Sequence, residues 1–571
     1  PGGRGVAQKL GQTAAAQVLD RRWRKDQILE AYLNLVPFRG EVVGIDALAR
    51  TLFGKAPHGL DEREAAVAAA LVRAPNARPA LVAQRACGVL QAMHPKAGSA
   101  AASAGCDALD LFTTAALQRR AYAASEGMAP HFARQLMAQQ RARLTPGQLL
   151  PTTLHSSLRA PLQRMAQQAL IQHLRELRGR NVEDGAVVVL NNASGEMLAW
   201  VGSSGELSQT AEVDGVLALR QPGSTLKPFL YAQAIAQRRL TAASLMHDAP
   251  VQITTGSGLY IPQNYDRQFK GWVSVRTALA ASLNVPAVRT LLMVSPDAFF
   301  TQMRQLGLPL AESGGYYGYS LALGSSEVQL LHLTNAYRAL ANGGRASPVA
   351  YAPGGAPAFT PALDARAAYL VGDILSDPNA RARTFGTDSV LATRFWSAVK
   401  TGTSKDMRDN WAIGWSARYT VGVWVGNASG ASMHEVSGTS GAAPIWAAVM
   451  GWLHAREPSR APRPPAGLVR QDVRFGPDAQ GQPLESRRSE WFIDGTQQPI
   501  IALDPDIPPA RQRLWFEAHT GGSGAGLRWR IDGRALGRGA RWGWLPWPGW
   551  HQVELTDARG QVLDSLRFEV R

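Results

Sequence analysis

Three short elements in a fixed order constrain this 571-residue chain more than any other feature: Ser224-Thr-Leu-Lys227, Ser282-Leu-Asn284 and Lys400-Thr-Gly402. The first lies in Gln221-Pro-Gly-Ser-Thr-Leu-Lys-Pro-Phe229, where Pro222-Gly223 opens a helix. A spacing of three on that helix puts the Ser224 hydroxyl and the Lys227 amine on one face. An amine beside a serine can take the hydroxyl proton and leave a nucleophilic oxygen. The second element starts 58 residues after Ser224 and the third 118 residues after Ser282. Those gaps hold a helical insertion and a return to a sheet. The pattern calls for helices packed on an antiparallel sheet, with the nucleophile on a helix and Lys400 on an edge strand.

Taken singly, each element has an ordinary structural reading. Ser224 and Lys227 suit a first helical turn. Ser282 and Asn284 suit a helix cap before Pro286. Lys400 suits a solvated edge strand. Their joint occurrence in this order is what points to chemistry.

Composition sets the frame. The chain has room for about two to four domains, each with its own core. With 45% apolar and 18% charged residues it is globular and not disordered. Net charge is +16, and only eight of the 60 basic residues are lysine. Such a balance suits anionic headgroups or pyrophosphate-bearing substrates. No basic run with interleaved aromatics is present, which argues against nucleic acid. Cys87 and Cys106 bracket the small-residue loop 97–105, leaving either a disulfide or two unpaired thiols. There is no run of 18 apolar residues and no signal peptide. The chain opens Pro1-Gly-Gly-Arg4 rather than with Met, so the expectation is a longer parent with an anchor upstream.

Lys25-Asp-Gln-Ile-Leu-Glu-Ala-Tyr-Leu-Asn34 places Ile28, Leu29, Tyr32 and Leu33 on one helical stripe. Residues 61–72 predict a second helix with acids in its first turn. Residues 185–201 read as a β-hairpin. Trp411–Trp415 and Tyr419–Val425 read as strands. Arg456 to Pro465 is proline-rich and reads as a linker. Beyond it, Leu514–Ala518, Leu527–Ile531, His551–Leu555 and Leu566–Val570 alternate as strands of a small β-sandwich. The tryptophans between 541 and 550 are either its core and corner or an exposed binding patch.

The chain resembles class A penicillin-binding proteins, most of all their 1C branch. Besides the S-x-x-K, S-x-N and K-T-G set, the resemblance rests on several longer stretches. These are Ala129-Pro-His-Phe-Ala133, Thr152-Thr-Leu154, Asn264-Tyr-Asp266 with Gly271, Arg276-Thr-Ala-Leu279 and Ser282-Leu-Asn-Val-Pro-Ala287. Lys400-Thr-Gly-Thr-Ser404, Asp409-Asn-Trp411 and Val423-Trp-Val-Gly-Asn427 complete it. Lys25 to Asn34, Phe38-Arg-Gly40, Gly44-Ile45, Leu52-Phe-Gly-Lys55 and Arg73-Ala-Pro75 resemble the second half of a family 51 peptidoglycan glycosyltransferase. That family's E-D-x-x-F motif is absent, and Gln12 stands where most members carry a second glutamate, so these residues alone are not expected to polymerise glycan.

The resemblance implies a multidomain chain. Residues 1–95 are a partial, helical glycosyltransferase domain, 96–150 a connecting region and 151–455 an α+β transpeptidase domain. Residues 456–497 are a linker and 498–571 an Ig-like β-sandwich. It also implies a D,D-transpeptidase that crosslinks peptidoglycan stem peptides. Ser224 is the nucleophile, Lys227 the general base, and Ser282 a relay between Lys227 and the leaving amine. Asn284 binds the substrate amide, and Lys400, Thr401 and Thr403 the terminal carboxylate, while Gly402 admits a close approach. The backbone N–H groups of Ser224 and Thr403 form an oxyanion hole. Asp266 and Asp409 are expected to be structural. Transpeptidation needs no cofactor; a divalent metal belongs, if anywhere, to the parent's glycosyltransferase. The implied partners are stem peptides, lipid-linked precursor, inhibitory β-lactams and cell-wall assembly proteins, with membrane association through the upstream segment and a place on the periplasmic side of the bacterial inner membrane. The alternatives are a D,D-carboxypeptidase or β-lactamase on the same scaffold, and a penicillin-sensing or scaffolding module.

Overall fold

Residues 185–190, Gly-Ala-Val-Val-Val-Leu, carry no polar alternation because both faces of their strand are covered. That strand is the second of a five-stranded antiparallel sheet in a computed structural model describing residues 6–39, 42–94, 106, 108–118, 127–145, 148, 150–151, 153–255, 258–476, 484–486, 488–494, 500–501, 503, 509–518 and 526–570. Gly40, the loop 97–105 and Thr152 lie outside the described residues.

The described chain forms two units, 1–127 and 128–571. The first is helical, with α1 (Val6–Arg22), α2 (Lys25–Leu35), α3 (Glu62–Arg73), α4 (Pro79–Met93) and α5 (Leu109–Gln118) as its longer elements. Asp61 caps α3 by accepting from the Arg63 and Glu64 amides, and Glu64 returns a bond to the Asp61 amide at 2.9 Å. This capping box is why the helix starts where the acidic run predicts. Leu48, Val67, Leu71, Val82, Ala86 and Leu109 form its core. Cys87 and Cys106 are joined in a disulfide. Gln12 sits exposed on α1. The 96–150 stretch is not one connector. α5 belongs to the first unit, where Phe112 stacks on Phe53, whereas α6 (Pro130–Ala142) buries Phe132 and Leu136 in the second.

In the second unit the sheet comprises β1 (Asp184–Asn191), β2 (Met197–Val201), β3 (Ala398–Thr403), β4 (Asp409–Trp415) and β5 (Tyr419–Gly426), in the order β2-β1-β5-β4-β3. β3, the K-T-G strand, is at the edge as expected. Ala186, Val188 and Leu190 face one core, with α7 (Lys227–Ala236), α8 (Val275–Ala280), α9 (Asn284–Val294), α10 (Leu330–Ala341) and α11 (Ala365–Ser376). Val187 and Val189 face the other, with the helix Ala160–Glu176 and α12 (Ala442–Leu453). Period-two alternation thus survives as a choice between two cores.

The region read as a linker differs from that expectation. Residues 458–465 have no regular structure, but Ser459 is pinned through its hydroxyl to the Trp396 carbonyl at 2.7 Å. Then β6 (Leu468–Val473) and β7 (Arg488–Ile493) pair as an antiparallel hairpin. Ile493 joins the core of the five-stranded sheet, and Trp491 packs edge-on against Tyr369 of α11.

The C-terminal region comprises β8 (Ile500–Ile501), β9 (Leu514–Glu517), β10 (Arg528–Ile531), β11 (Arg534–Arg538), β12 (Arg541–Trp544), β13 (Gly549–Thr556) and β14 (Val562–Val570). They form a sheet β8-β14-β13-β10-β11 and a pair β9-β12. Both contribute to one small core of Phe516, Trp529, Ile531, Trp544, Val553 and Phe568. The tryptophan cluster divides accordingly: Trp544 is core, while Trp547 and Trp550 stay 51% and 44% exposed.

Candidate active site

Ser224 lies on a 3-10 turn, Gly223–Leu226, and α7 begins at Lys227. Ser224 therefore sits just ahead of the helix rather than within it. The turn is held from behind: Tyr337 donates to the Thr225 carbonyl at 2.6 Å and Trp411 to the Gln221 carbonyl at 2.8 Å. Its front lies directly against β3. A Cβ on Gly223 (φ +55°) would come within 2.5 Å of the Thr403 oxygen, and one on Gly402 within 2.4 Å of the Pro222 oxygen. The glycine of the K-T-G element is thus required by the approach of the Ser224 turn, a different reason from the substrate approach expected of it.

Lys227 is fully buried. Its ammonium donates to the Ser282 carbonyl (2.7 Å), the Leu283 carbonyl (3.0 Å) and Asn284 Oδ1 (2.7 Å). Three acceptors use all three of its protons, and none of them is Ser224. Lys400, also buried, donates to Ser282 Oγ and to the Thr401 carbonyl, at 2.7 and 2.8 Å. Ser282 is thus gripped at its carbonyl by one lysine and at its hydroxyl by the other. It adopts φ +62°, a left-handed conformation that costs a serine roughly 1–3 kcal/mol.

Burial, followed by the charge of Lys400, holds the Lys227 amine well below the usual lysine range, against a weaker pull from Asp248. Burial alone brings Lys400 down to about 7.

Alternation along β3 puts Lys400 and Gly402 on the Lys227 side and Thr401 and Thr403 on the other. Thr401 is buried there, so the structure does not bring its side chain together with the lysines. Thr403 is half-buried, and its hydroxyl accepts from the Gly438 amide at 2.9 Å, leaving its proton free to donate. Asn284, expected to face the substrate amide, has its carbonyl oxygen on Lys227 and its amide nitrogen on the Gln263 carbonyl at 2.8 Å.

Two buried residues that sequence reasoning missed support this segment. Asn264 accepts from the Asn284 amide at 2.8 Å and donates to both oxygens of Asp248 at 2.9 and 2.7 Å. Asn264 lies in a motif already singled out, though without a role; nothing in the sequence marked Asp248. Asp409 receives Trp424 Nε1 at 3.0 Å and the Ser404 hydroxyl at 3.1 Å, bracing the turn after Thr403. Asp266 pairs with Lys270 at the surface. Among the described residues no group of three or more His, Cys, Asp or Glu side chains is arranged to hold a metal, nor is any helix long and apolar enough to cross a membrane.

Comparison with known proteins agrees with this architecture. Family models described as transglycosylase, penicillin binding protein transpeptidase domain and penicillin-binding protein C-terminus family match residues 2–94, 185–451 and 496–568. Penicillin-binding protein 1C of Escherichia coli K12 is 31% identical over 524 residues, a match covering 89% of this chain and 65% of that protein. Penicillin-binding protein 2D of Bacillus subtilis 168 is 27% identical over 547 residues, covering 88% of this chain and 77% of that one. The crystal structure of penicillin-binding protein 1A from Haemophilus influenzae shares the fold, with a TM-score of 0.56 at 18% identity over 83% of this chain and 92% of that one. The chain therefore spans about two-thirds of the Escherichia coli relative and, with its transglycosylase, transpeptidase and C-terminal penicillin-binding-protein matches, belongs to the class A penicillin-binding proteins.

Proposed function

We propose that the chain is a serine D,D-transpeptidase that crosslinks peptidoglycan stem peptides. One observation carries this reading: two buried amines, Lys227 and Lys400, meet the carbonyl and the hydroxyl of the same Ser282, and Lys227 is three residues from Ser224. A buried amine without a carboxylate partner gives up its proton readily.

In the proposed cycle Ser224 Oγ attacks the carbonyl between the two terminal D-alanines. Its proton passes to Lys227, which must first be neutral and give up one of its three acceptors. The Ser224 and Thr403 amides hold the developing oxyanion, worth about 3 kcal/mol per donor. As the C–N bond breaks, Ser282 passes a proton to the leaving amine and is replenished from Lys400, whose proton is mobile near neutral pH. This makes Lys400, rather than Lys227, the side-chain partner of the relay. The Thr403 hydroxyl, half-buried at the end of β3, binds the substrate carboxylate, and the charge of Lys400 on the other face of the strand attracts it. An amine from a neighbouring stem peptide then attacks the acyl-enzyme; its surplus proton returns through Ser282 to Lys400, Lys227 gives its proton back to Ser224 Oγ as the ester bond breaks, and the crosslink forms with Ser224 freed. A β-lactam acylates the same oxygen. We place the reaction on the periplasmic side of the inner membrane, on glycan built from lipid-linked precursor by a glycosyltransferase domain of the kind that residues 2–94 match.

Intact mass after incubation with a panel of β-lactams and an activated D-Ala donor tests this beside a Ser224→Ala control. A stoichiometric adduct requiring Ser224 is expected. A folded protein that takes no adduct would leave a scaffold, and release of shortened peptide without crosslinked dimer would make it a carboxypeptidase.

A further inference from the structure

We infer that Glu485 and Glu490, in the hairpin region that follows the transpeptidase domain, are positioning residues for acylation: they fix the helix that leads into the Ser282 turn. This rests on the reading of Ser282 given above.

α8 is only six residues long. A helix that short does not hold itself in water, yet its end must maintain a serine in the left-handed region. The Ser282 amide bonds to the Leu279 carbonyl at 3.1 Å and the Leu283 amide to the Ala278 carbonyl at 3.0 Å. The strained turn thus hangs from the last turn of α8, and any shift of the helix carries both lysine contacts with it.

The other end of α8 is held by the hairpin region. Glu485 accepts from the Ser274 amide at 2.5 Å and from the Ser274 hydroxyl at 2.7 Å. Ser274 is itself the N-cap of α8, accepting from the Thr277 amide. Glu490, fully buried on β7, takes Arg276 Nε and Nη2 at 2.7 and 2.6 Å in a two-pronged pair. Asp373 of α11 completes the ring around Arg276 at 2.5 Å. Arg276 and Ser282 are six residues apart, about 9 Å along a helix. More than 200 residues of chain separate each glutamate from α8 (211 for Ser274–Glu485, 214 for Arg276–Glu490). A segment outside the catalytic sheet therefore sets the placement of a residue inside the site.

The test uses the full chain and a fluorescent penicillin, measuring the acylation rate constant for Glu490→Gln and Glu485→Gln in the wild-type and Ser282→Ala backgrounds, with thermal unfolding alongside. With Ser282 present, Glu490→Gln is expected to slow acylation by about 10- to 100-fold, the usual result of misplacing a reacting group. In Ser282→Ala the same change is expected to cost at least about fivefold less, because the hydroxyl being positioned for Lys400 is gone and only the backbone and Asn284 contacts to Lys227 remain to be displaced. An equal loss in both backgrounds, or wild-type acylation by Glu490→Gln, would overturn the inference while Ser282→Ala alone remained impaired. Wild-type acylation by Ser282→Ala would instead overturn the reading of the site. If Glu490→Gln lacks a cooperative unfolding transition, Glu485→Gln, which leaves Arg276 paired, carries the same comparison. Failure of both to fold would make the hairpin purely structural.

Discussion

The S-x-N turn and the start of α8 both bury cations, and they treat them in opposite ways. Lys227 and Lys400 meet only carbonyl, amide and hydroxyl oxygens. Arg276, a few residues away in the chain, meets Glu490 and Asp373 directly and Asp377 at 3.4 Å. Burial works against the charge of Arg276, but the carboxylates outweigh it and raise its pKa. At the lysines burial is unopposed or nearly so, and both fall. Withholding counter-ions makes a proton mobile; supplying them makes a fixed joint.

The largest test of that contrast is Lys227→Met. It removes the base and a buried charge together. Acylation is expected to fall by roughly 10²- to 10⁴-fold, while the melting temperature holds or rises because an amine no longer has to be desolvated. A melting temperature several degrees below wild type would show that Lys227 is a structural joint after all.

Arg276→Met should do the reverse. It leaves Glu490 buried with, among the described residues, only Arg488 Nε at 3.8 Å to oppose its charge, and breaking such a buried pair costs about 3–5 kcal/mol. Denaturant unfolding of the full chain reads this loss. A neutral or stabilising result would mean that Glu490 is simply protonated in the variant, and the clamp would then be weaker than its geometry implies.

A smaller and pH-dependent effect separates Lys400 from the arginine. Its folded pKa of about 7 lies below the unfolded lysine value of 10.5. Below both values the amine is charged in either state, and the full desolvation cost is present. Between them the unfolded chain binds more protons than the folded one, so this group adds stability as pH rises from about 7 to 10.5, at no more than about 1.4 kcal/mol per pH unit. The difference between wild type and Lys400→Met, followed by urea unfolding across that window, should show this rise. A flat difference would mean that Lys400 stays charged throughout. Acylation by wild type is also expected to decline above about pH 7 as the relay loses its proton.

Sequence reasoning reached the groups that the proposed reaction uses but not their supports, for a physical reason. Ser224, Lys227, Ser282 and Lys400 lie in short motifs whose spacing is itself chemical information. Strands such as Trp411–Trp415 and the 185–201 hairpin announce themselves by local pattern, and Asp61 by its capping box. The joints are pairings at long separation: Asn264 with Asn284, Arg276 with Glu490, Ser274 with Glu485. Nothing local distinguishes Glu490 from a surface glutamate in Arg488-Ser-Glu-Trp-Phe-Ile493. Proline content around 456–465 also masked a hairpin that begins only at Leu468. Motif position assigns Thr401 and Asn284 to substrate, whereas strand alternation and the reach of Lys227 decide where their side chains go.

The weakest expected effect lies where a cation is exposed and, among the described residues, has no ion-pair partner. Arg528 of β10 and Arg538 of β11 are directly opposite in an antiparallel register, and both are exposed. Like charges opposite one another weaken a strand pair, but water screens most of the repulsion. Arg538→Glu turns the pair into an attractive one and should stabilise the C-terminal sheet by about 0.5 kcal/mol. Arg538→Gln should recover part of that gain. In about 1 M salt the charge-dependent difference between the two should vanish. Denaturant unfolding followed by tryptophan fluorescence can read it, since Trp529 and Trp544 lie in the core beneath these strands. A gain for Arg538→Glu that persists in high salt would assign the effect to strand propensity instead. The contrast would then hold only for cations the fold removes from water, where the presence or absence of a carboxylate decides between a joint and a reacting group.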